Sequence, residues 1–207
     1  TQHLLEAHTA LAEVDALLPM DVFRPYDAPA QLAIFGEAVP TLSLEKAVVY
    51  AAYHGTRHLW SELAWVVDMA ASCQADLDWD RVFALADQLR IRPQLTLGCQ
   101  LAHDLLGAPR PNQADDIPAA QLDALAHLRE CPPVPQRDAV AALGRLAFLR
   151  WEMRQYSSLG GKIAILVKHS RVSSADRAMV TLPAALAFLY VPLRLMRIAL
   201  GWLSWSK

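Results

Sequence analysis

Cysteine is scarce in this sequence, because the 207 residues include three: Cys73, Cys99 and Cys131. They are odd in number and widely spaced, and none belongs to a C-x-x-C pair. This pattern argues against a disulfide framework and against a thiolate zinc site, and it fits a reducing compartment. We therefore expect a cytoplasmic protein.

The sequence also lacks an excess of charge and a long apolar run. Its formal net charge is −2, which gives no basic surface for duplex DNA or RNA. Residues 178–193 carry no charge, but this stretch is shorter than a membrane-spanning helix and contains Pro183 and Pro192. We expect it to form a buried or surface-docked amphipathic helix.

The composition predicts a mainly α-helical fold. Hydrophobic residues make up 54% of the chain, enough for one sizeable core, and the 8 Gly and 13 Pro cluster at apparent helix boundaries. We expect a helical bundle-like domain with one or two short strands near the N-terminus, one of them at residues 31–35. Thr41 or Ser43 is the expected N-cap of one helix and Asp78 that of another, and Pro93 and Gly107 should begin and end a further helix.

One long helix, predicted over residues 43–72, carries most of the reactive side chains. At about 100° per residue, one helix face collects several of them within about 80°. These residues are His54, His58, Ser61, Trp65 and Asp68. Gly55 in this helix costs ~1 kcal/mol relative to Ala, so we expect another backbone or a ligand to approach closely there.

His54 and His58 have the i, i+4 spacing of two metal ligands on one helix face. Asp68 lies about 15 Å further along a straight helix and cannot share their ion, so no metal is assigned. Arg57 and the two imidazoles form a donor cluster suited to phosphate, and a neighbouring Trp is suited to stacking on a base. The alternative, that these residues serve interhelical hydrogen bonding and core packing, stays open.

Two other motifs fall short of a catalytic site. Asp76-x-Asp78-x-Asp80 has the D-x-D spacing that two-metal enzymes use, but no Gly-Ser turn precedes it. Because Asp is a preferred N-cap, we interpret this motif as helix capping. Residues 157–162 lack two of the defining positions of a P-loop.

Several short blocks follow one another in order through most of the chain. The blocks are Pro40-Thr41-Leu42-Ser43, His54-Gly55-x-x-His58-x-Trp60-x-x-Leu63-x-Trp65-x-x-Asp68, Leu77-Asp78-Trp79-Asp80, Leu105-Leu106-Gly107-Ala108-Pro109, Ser174-Ala175-Asp176-Arg177, Leu182-Pro183 and Leu189-Tyr190-x-Pro192-Leu193-Arg194. Together they resemble the uncharacterised bacterial nucleotidyltransferase family of the polymerase-β-like superfamily.

The resemblance implies transfer of a nucleotide from an NTP to an unidentified acceptor. In that family a small mixed sheet comes first, with a Gly-Ser turn, a D-x-D pair and a third carboxylate that together serve Mg²⁺ chemistry. Glu6 matches the third carboxylate, whereas the Gly-Ser turn and the D-x-D pair would precede Thr1. Residues 1–40 are then the remnant of this core and its connection, and residues 41–207 are the helical domain.

By the same resemblance, this chain would be the helical part of the enzyme, and it would face the nucleotide or the acceptor. The implied binding residues are His54, Arg57, His58, Ser61, Trp65 and Asp68. Whether the chain belongs to an enzyme depends on the missing D-x-D pair, and the chain alone is expected to be inactive. The alternative hypothesis is a non-catalytic interaction protein that contacts a partner or a membrane surface through residues 183–205.

Overall fold

The structure is a computed structural model. It describes residues 11, 17–25, 27–114, 117, 144–156, 158–172, 174–194 and 196. Within these ranges the chain is mainly helical with two strands near the N-terminus, which confirms the predicted fold class. Glu6 and Cys131 lie outside the described residues, and the domain division at residue 40 stays a prediction.

The elements follow one another along the chain without a second sheet in the described part. They are α1 (Met20–Phe23), β1 (Ala30–Ile34), β2 (Glu37–Thr41), α2 (Leu44–Arg57), α3 (Leu63–Gln74), α4 (Trp79–Gln88), α5 (Arg92–Leu106), α6 (Arg145–Arg154), α7 (Leu159–Ser170), α8 (Ser174–Met179) and a 3₁₀-helix (Ala184–Leu189).

β1 and β2 form an antiparallel hairpin in which Leu32 pairs with Val39. Phe35 and Gly36 at its tip have φ values of 51° and 86°, and two consecutive positive φ values are what a tight two-residue hairpin turn requires. The strand predicted at residues 31–35 is therefore confirmed to within one residue.

Local capping signals place three helix ends. The Ser43 hydroxyl accepts a hydrogen bond from the Lys46 backbone N–H at 3.4 Å, and the Asp78 carboxylate accepts one from the Arg81 N–H at 3.1 Å. Gly107 ends α5 with a φ of 68°, in the left-handed region that favours glycine. The predicted N-caps, and the interpretation of Asp78 as a capping residue, are confirmed.

The single helix predicted over residues 43–72 is wrong, because the chain reverses between α2 and α3. The N–H of Trp60 donates to the Gly55 carbonyl at 2.8 Å, and the N–H of Leu59 donates to the Thr56 carbonyl at 3.1 Å. These two bonds form a Schellman motif at the end of α2. Leu59 and Trp60 have φ values of 60° and 49°, a conformation that costs L-residues about 1–2 kcal/mol each.

The core lies between α2, α3, α4 and α5, and buried side chains of α6 and α7, including Trp151 and Ile165, belong to the same core. The largest fully buried apolar side chains are Phe23, Leu18, Tyr53, Met69, Ile91, Leu95, Leu97, Leu101 and Ile165. The Trp151 indole of α6 donates to the Thr56 carbonyl of α2 at 3.1 Å. This buried hydrogen bond ties α6 to the end of α2.

Side-chain bonds hold the C-terminal elements. The Tyr190 hydroxyl donates to the Val180 carbonyl at 2.9 Å and accepts from the Leu182 N–H at 3.0 Å. Arg194 and Asp176 form a buried ion pair at 2.8 Å. In the part of the chain described, no helix combines the length and the apolar character needed to cross a membrane.

Candidate functional site

A row of aromatic rings runs along α2 to the start of α3. The imidazoles of His54 and His58 have centroids 4.4 Å apart, and the Trp65 indole lies 5.6 Å from His54 and 5.0 Å from His58. Tyr50 extends the row at 5.7 Å from His54, and Phe23 of α1 lies 6.5 Å from Tyr50. We call these five side chains the ring row. Four of them are half-buried and Phe23 is fully buried.

The chain reversal brings Trp65 into the ring row. In a straight helix, His54 and Trp65 would be about 16 Å apart along the axis, but their rings meet in a T-shaped arrangement at 80°. The structure therefore brings His54, His58 and Trp65 together through the reversal rather than along one helix face. Their role in binding stays a prediction.

The buried side chain of Trp60 stabilises the reversal. Its indole N–H donates to the Thr56 hydroxyl at 3.2 Å, and the residue is 5% exposed. A Cβ added to Gly55 would stand 2.6 Å from one Trp60 ring carbon, and a Cβ added to Gly98 of α5 would stand 2.8 Å from another. The close approach expected at Gly55 is thus made by the side chain of Trp60, not by another backbone or a ligand.

Two predicted site residues, Ser61 and Asp68, lie outside the ring row. Ser61 lies in the reversal, where its buried hydroxyl has no hydrogen-bond partner. Asp68 is exposed on α3, and it shares a helix face with Trp65 because three positions separate them. Glu6 lies outside the described residues. The arrangement of Ser61 and Asp68 on one uninterrupted helix is wrong, because α2 ends at Arg57 and α3 begins at Leu63. The role of Ser61 and Asp68 in binding stays a prediction.

Arg57 lines a small cavity between α2, α5, α6 and α7. The cavity has a volume of about 20 Å³, which is close to that needed for one water molecule. Its polar lining includes Gln94, whose side-chain N–H donates to the Gln155 carbonyl at 3.4 Å and whose buried side-chain oxygen has no partner. Arg57 therefore lines the cavity and is also the last residue of α2, next to His58.

Two of the residues that line this cavity, Glu152 and Lys168, belong to an ion-pair network. The Glu152 carboxylate, 4% exposed, lies 2.6 Å from the Lys168 ammonium and also bonds the His169 ring. Burial alone would raise the pKa of Glu152, but the His169 hydrogen bond and the Lys168 charge outweigh it, so the pKa lies below its ordinary value. Glu152 is therefore a buried carboxylate that stays ionised at neutral pH.

Burial also controls Tyr156, another residue that lines the cavity. Loss of hydration is the largest effect on its hydroxyl and raises its pKa well above the ordinary value, and nearby Tyr53 adds to the increase. The Tyr156 hydroxyl therefore stays protonated at neutral pH.

The D-x-D carboxylates have structural partners. Asp78 caps α4, and Asp80 accepts a hydrogen bond from the Gln113 amide at 2.8 Å. Among the described residues, no group of three His, Cys, Asp or Glu side chains is arranged to hold a metal ion.

The sequence alone did not predict the cavity or the ion pair that lines it. Gln94 of α5 is far in the sequence from Glu152 of α6 and Lys168 of α7, and no local spacing connects Gln94 with the other two residues. The apolar residues around Glu152 in α6 offer no sign that its carboxylate is buried. Only packing of α6 and α7 against α2 and α5 brings these groups together.

A comparison with protein families gives the class of this chain. Residues 1–107 match a family described as uncharacterised nucleotidyltransferase. No curated protein and no solved structure matches the chain. The matched half covers α1 to α5 and holds the whole ring row and Arg57. The chain therefore belongs to this nucleotidyltransferase family. Membership of the family implies an NTP substrate.

Proposed function

We propose that the chain serves the transfer of a nucleoside monophosphate from an NTP to an acceptor, with the end of α2 facing the nucleotide or the acceptor. The observation that carries this proposal is the ring row, which places two half-buried imidazoles beside an indole within 6 Å. Imidazoles donate to phosphate oxygens when protonated. An indole edge or face suits a base or a sugar.

Arg57 adds a permanent positive charge to this end of α2. It lies one residue before His58, and its charge acts on the hydroxyl of Tyr50 in the ring row. A guanidinium binds phosphate through two parallel hydrogen bonds, which a lone ammonium cannot reproduce. In this proposal Arg57 and His58 hold phosphate oxygens, Trp65 contacts the base or sugar, and Ser61 and Asp68 line the approach.

The catalytic carboxylates belong to the family's sheet in this proposal. The sequence contains no Gly-Ser turn followed by a D-x-D pair, so we expect no nucleotide transfer from this chain alone. Glu6 is the proposed third carboxylate. Mg²⁺ enters as the ion that accompanies the NTP triphosphate.

The test is nucleotide binding by the protein expressed from its full coding sequence. ATP, GTP, CTP and UTP are titrated with Mg²⁺, and Kd is measured for the native protein, His58→Phe and Arg57→Lys. His58→Phe keeps the ring contacts but removes both nitrogens, so we expect Kd to rise roughly 10- to 100-fold, the equivalent of one charge-assisted hydrogen bond. Arg57→Lys should weaken binding less, because the charge remains.

Arg81→Ala is the matched control, because Arg81 is exposed on α4 and its charge acts on Glu45, at the opposite end of α2 from His58. Its Kd should equal that of the native protein. Equal Kd values for His58→Phe and the native protein, or no binding of any of the four nucleotides, would contradict the proposal.

A second candidate function is non-catalytic contact with a membrane surface. It is favoured by exposed apolar side chains near the C-terminus, including Phe188 at 67%, Val191 at 44% and Leu186 at 42%, since clustered exposed apolar groups often mark contact sites. Flotation with phosphatidylcholine vesicles tests it. Native protein should float and Phe188→Ser should not; a native protein that stays at the bottom removes this candidate.

A further inference from the structure

The outer side of α7 carries a stripe of exposed apolar side chains. Its members are exposed at 74%, 51%, 48% and 46%, in the order Leu159, Ile163, Leu166 and Val167. Because three or four residues separate most of them, they share one helix face, and we call them the α7 stripe. The opposite face of α7 is buried through Gly161, Ala164 and Ile165. A helix that is apolar on both faces is normally covered on both.

Charge is divided unevenly along the sequence. Residues 145–207 contain 10 Lys and Arg but only 2 Asp and Glu, whereas residues 1–144 contain the other 9 Lys and Arg and the other 19 Asp and Glu. The formal charges of the two parts are +8 and −10, which together give the −2 of the whole chain. α7 therefore belongs to a strongly basic segment of a slightly acidic chain.

The two carboxylates of the basic segment are buried in ion pairs. Glu152 is 4% exposed and lies 2.6 Å from the Lys168 ammonium, and Asp176 is 5% exposed and lies 2.8 Å from the Arg194 guanidinium. The exposed basic residues of the described part of this segment are Arg150, Arg154, Arg171 and Arg177. In this part of the chain the acidic and basic side chains exposed to solvent are therefore all basic.

Basic residues also lie next to the α7 stripe. Lys162 is half-buried on α7, three residues after Leu159 and one before Ile163, which places it at the edge of the stripe. Arg171 is exposed and follows the last residue of α7. Long side chains of this kind can direct their charge toward a surface that covers neighbouring apolar groups.

This combination of apolar and basic groups distinguishes between possible occupants. A nucleic acid would neutralise the basic residues but would leave the α7 stripe in water. The α7 of a second copy would cover the stripe but would bring like charges together. A membrane with anionic lipids satisfies both features, because its headgroups attract the basic residues and its acyl chains accept apolar side chains.

We propose that the α7 face docks on the surface of a membrane that contains anionic lipids. The α7 stripe enters the headgroup region, and Lys162 and Arg171 contact lipid phosphates. This proposal is independent of the nucleotide site. It differs from the second candidate function in the surface that makes the contact and in its requirement for anionic lipid.

The test is cosedimentation of the full chain with vesicles of two compositions. An equal mixture of phosphatidylglycerol and phosphatidylcholine should bind the protein at least about 10-fold more tightly than phosphatidylcholine alone, since each Lys or Arg near an anionic surface contributes roughly fivefold. About 1 M NaCl, which shortens the screening length to about 3 Å, should weaken binding to the mixed vesicles.

The double variant Ile163→Gln/Leu166→Gln tests the α7 stripe. It should bind the mixed vesicles at least about 10-fold more weakly, because two half-exposed side chains no longer gain from leaving water. The matched control is Leu105→Gln/Leu106→Gln on α5, where the two leucines are 46% and 41% exposed. The control should bind as the native chain does. Equal Tm values for the two double variants show that both are folded.

Lys162→Gln tests the charge at the edge of the stripe without changing an apolar group. It should weaken binding to the mixed vesicles by roughly fivefold. Arg81→Gln, which removes a charge from α4, should leave this binding unchanged. These two variants provide a reading that does not depend on whether the double variant of α7 folds.

Several outcomes would overturn the proposal. The mixed vesicles may fail to sediment the native chain, or the two vesicle compositions may bind it equally. The two double variants may weaken binding by the same factor. Loss of binding in Phe188→Ser but not in Ile163→Gln/Leu166→Gln would assign the contact to the C-terminal segment instead. Binding of poly(U) RNA without any binding of vesicles would assign the basic segment to nucleic acid.

Discussion

The ring of His54 on α2 meets the ring of Trp65 on α3 edge to face, with centroids 5.6 Å apart. This contact exists because α2 ends at Arg57 and the chain reverses before α3 begins. The reversal depends in turn on Trp60, whose indole lies against Gly55 and Gly98. Variants that disturb the packing of Trp60 therefore also test whether the reversal holds the ring row together.

Gly55→Ala should destabilise the protein. Helix propensity alone predicts a gain of about 1 kcal/mol, but the new Cβ would stand 2.6–2.8 Å from three ring carbons of Trp60. Overpacking of this kind typically costs about 1–3 kcal/mol, so we expect Tm to fall. Gly160→Ala is the control, since nothing lies within 4 Å of its Cβ position; its Tm should stay equal or rise. An equal gain for both variants would show that Trp60 does not occupy this space.

Thr56→Val removes the acceptor for the Trp60 indole N–H at nearly constant side-chain volume. The bond is buried and 3.2 Å long, and a buried donor left without a partner costs about 1–3 kcal/mol. Urea unfolding should report a loss of this size. Ser72→Ala, which removes an exposed hydroxyl bonded to the Asp68 carbonyl, should change stability by less than about 0.5 kcal/mol. Equal losses for the two variants would refute this account of Thr56.

Local signals predicted much of the fold. Ser43, Asp78 and Gly107 act within one helical turn of their own positions, so their effects can be read from neighbouring residues. The reversal after α2 could not be predicted in this way. Its bulky residues adopt positive φ values because Trp60 is held by Gly98 on α5, which is distant in sequence. The cavity beside Arg57 escaped prediction for the same reason.

Glu152 should make stability depend on pH in the acid range. Its folded pKa is lowered below the ordinary value of 4.5, so its ion pairs stabilise the protein above that value. The stabilisation is lost as the pH falls below 4.5 toward the folded pKa. Urea unfolding between about pH 3 and pH 7 should show this loss in the native chain, and Glu152→Gln should flatten the curve in this range.

The same variant tests the energy of the buried network at neutral pH. Glu152→Gln leaves Lys168 without its carboxylate partner, which should cost about 3 kcal/mol. Asp87→Asn is the control, because it removes an ion pair with Arg92 in which the Asp87 side chain is 53% exposed. That change should cost at most about 1 kcal/mol. Similar losses for the two variants would mean that Glu152 is not held in a buried pair.

Tyr190→Phe should loosen the C-terminal elements. The hydroxyl bonds the Val180 carbonyl and the Leu182 N–H, and its loss should cost about 1–2 kcal/mol. Hydrogen–deuterium exchange offers a local measurement, because the Leu182 amide loses its acceptor and should exchange faster. Unchanged exchange at Leu182 would argue against this bond. Amides in α4, away from Tyr190, should keep their native rates.

The position of Trp60 between glycines of two helices also has a consequence for folding order. We expect the residues that end α2 to reach their final conformation only when α5 has docked, because the Trp60 indole packs against Gly98 of α5 as well as Gly55 of α2. We therefore expect the segment between α2 and α3 to reach its native conformation late in folding, after contact with α5. A peptide of residues 41–74 alone should favour one continuous helix, and its circular dichroism would show the intrinsic preference that docking of α5 overrides.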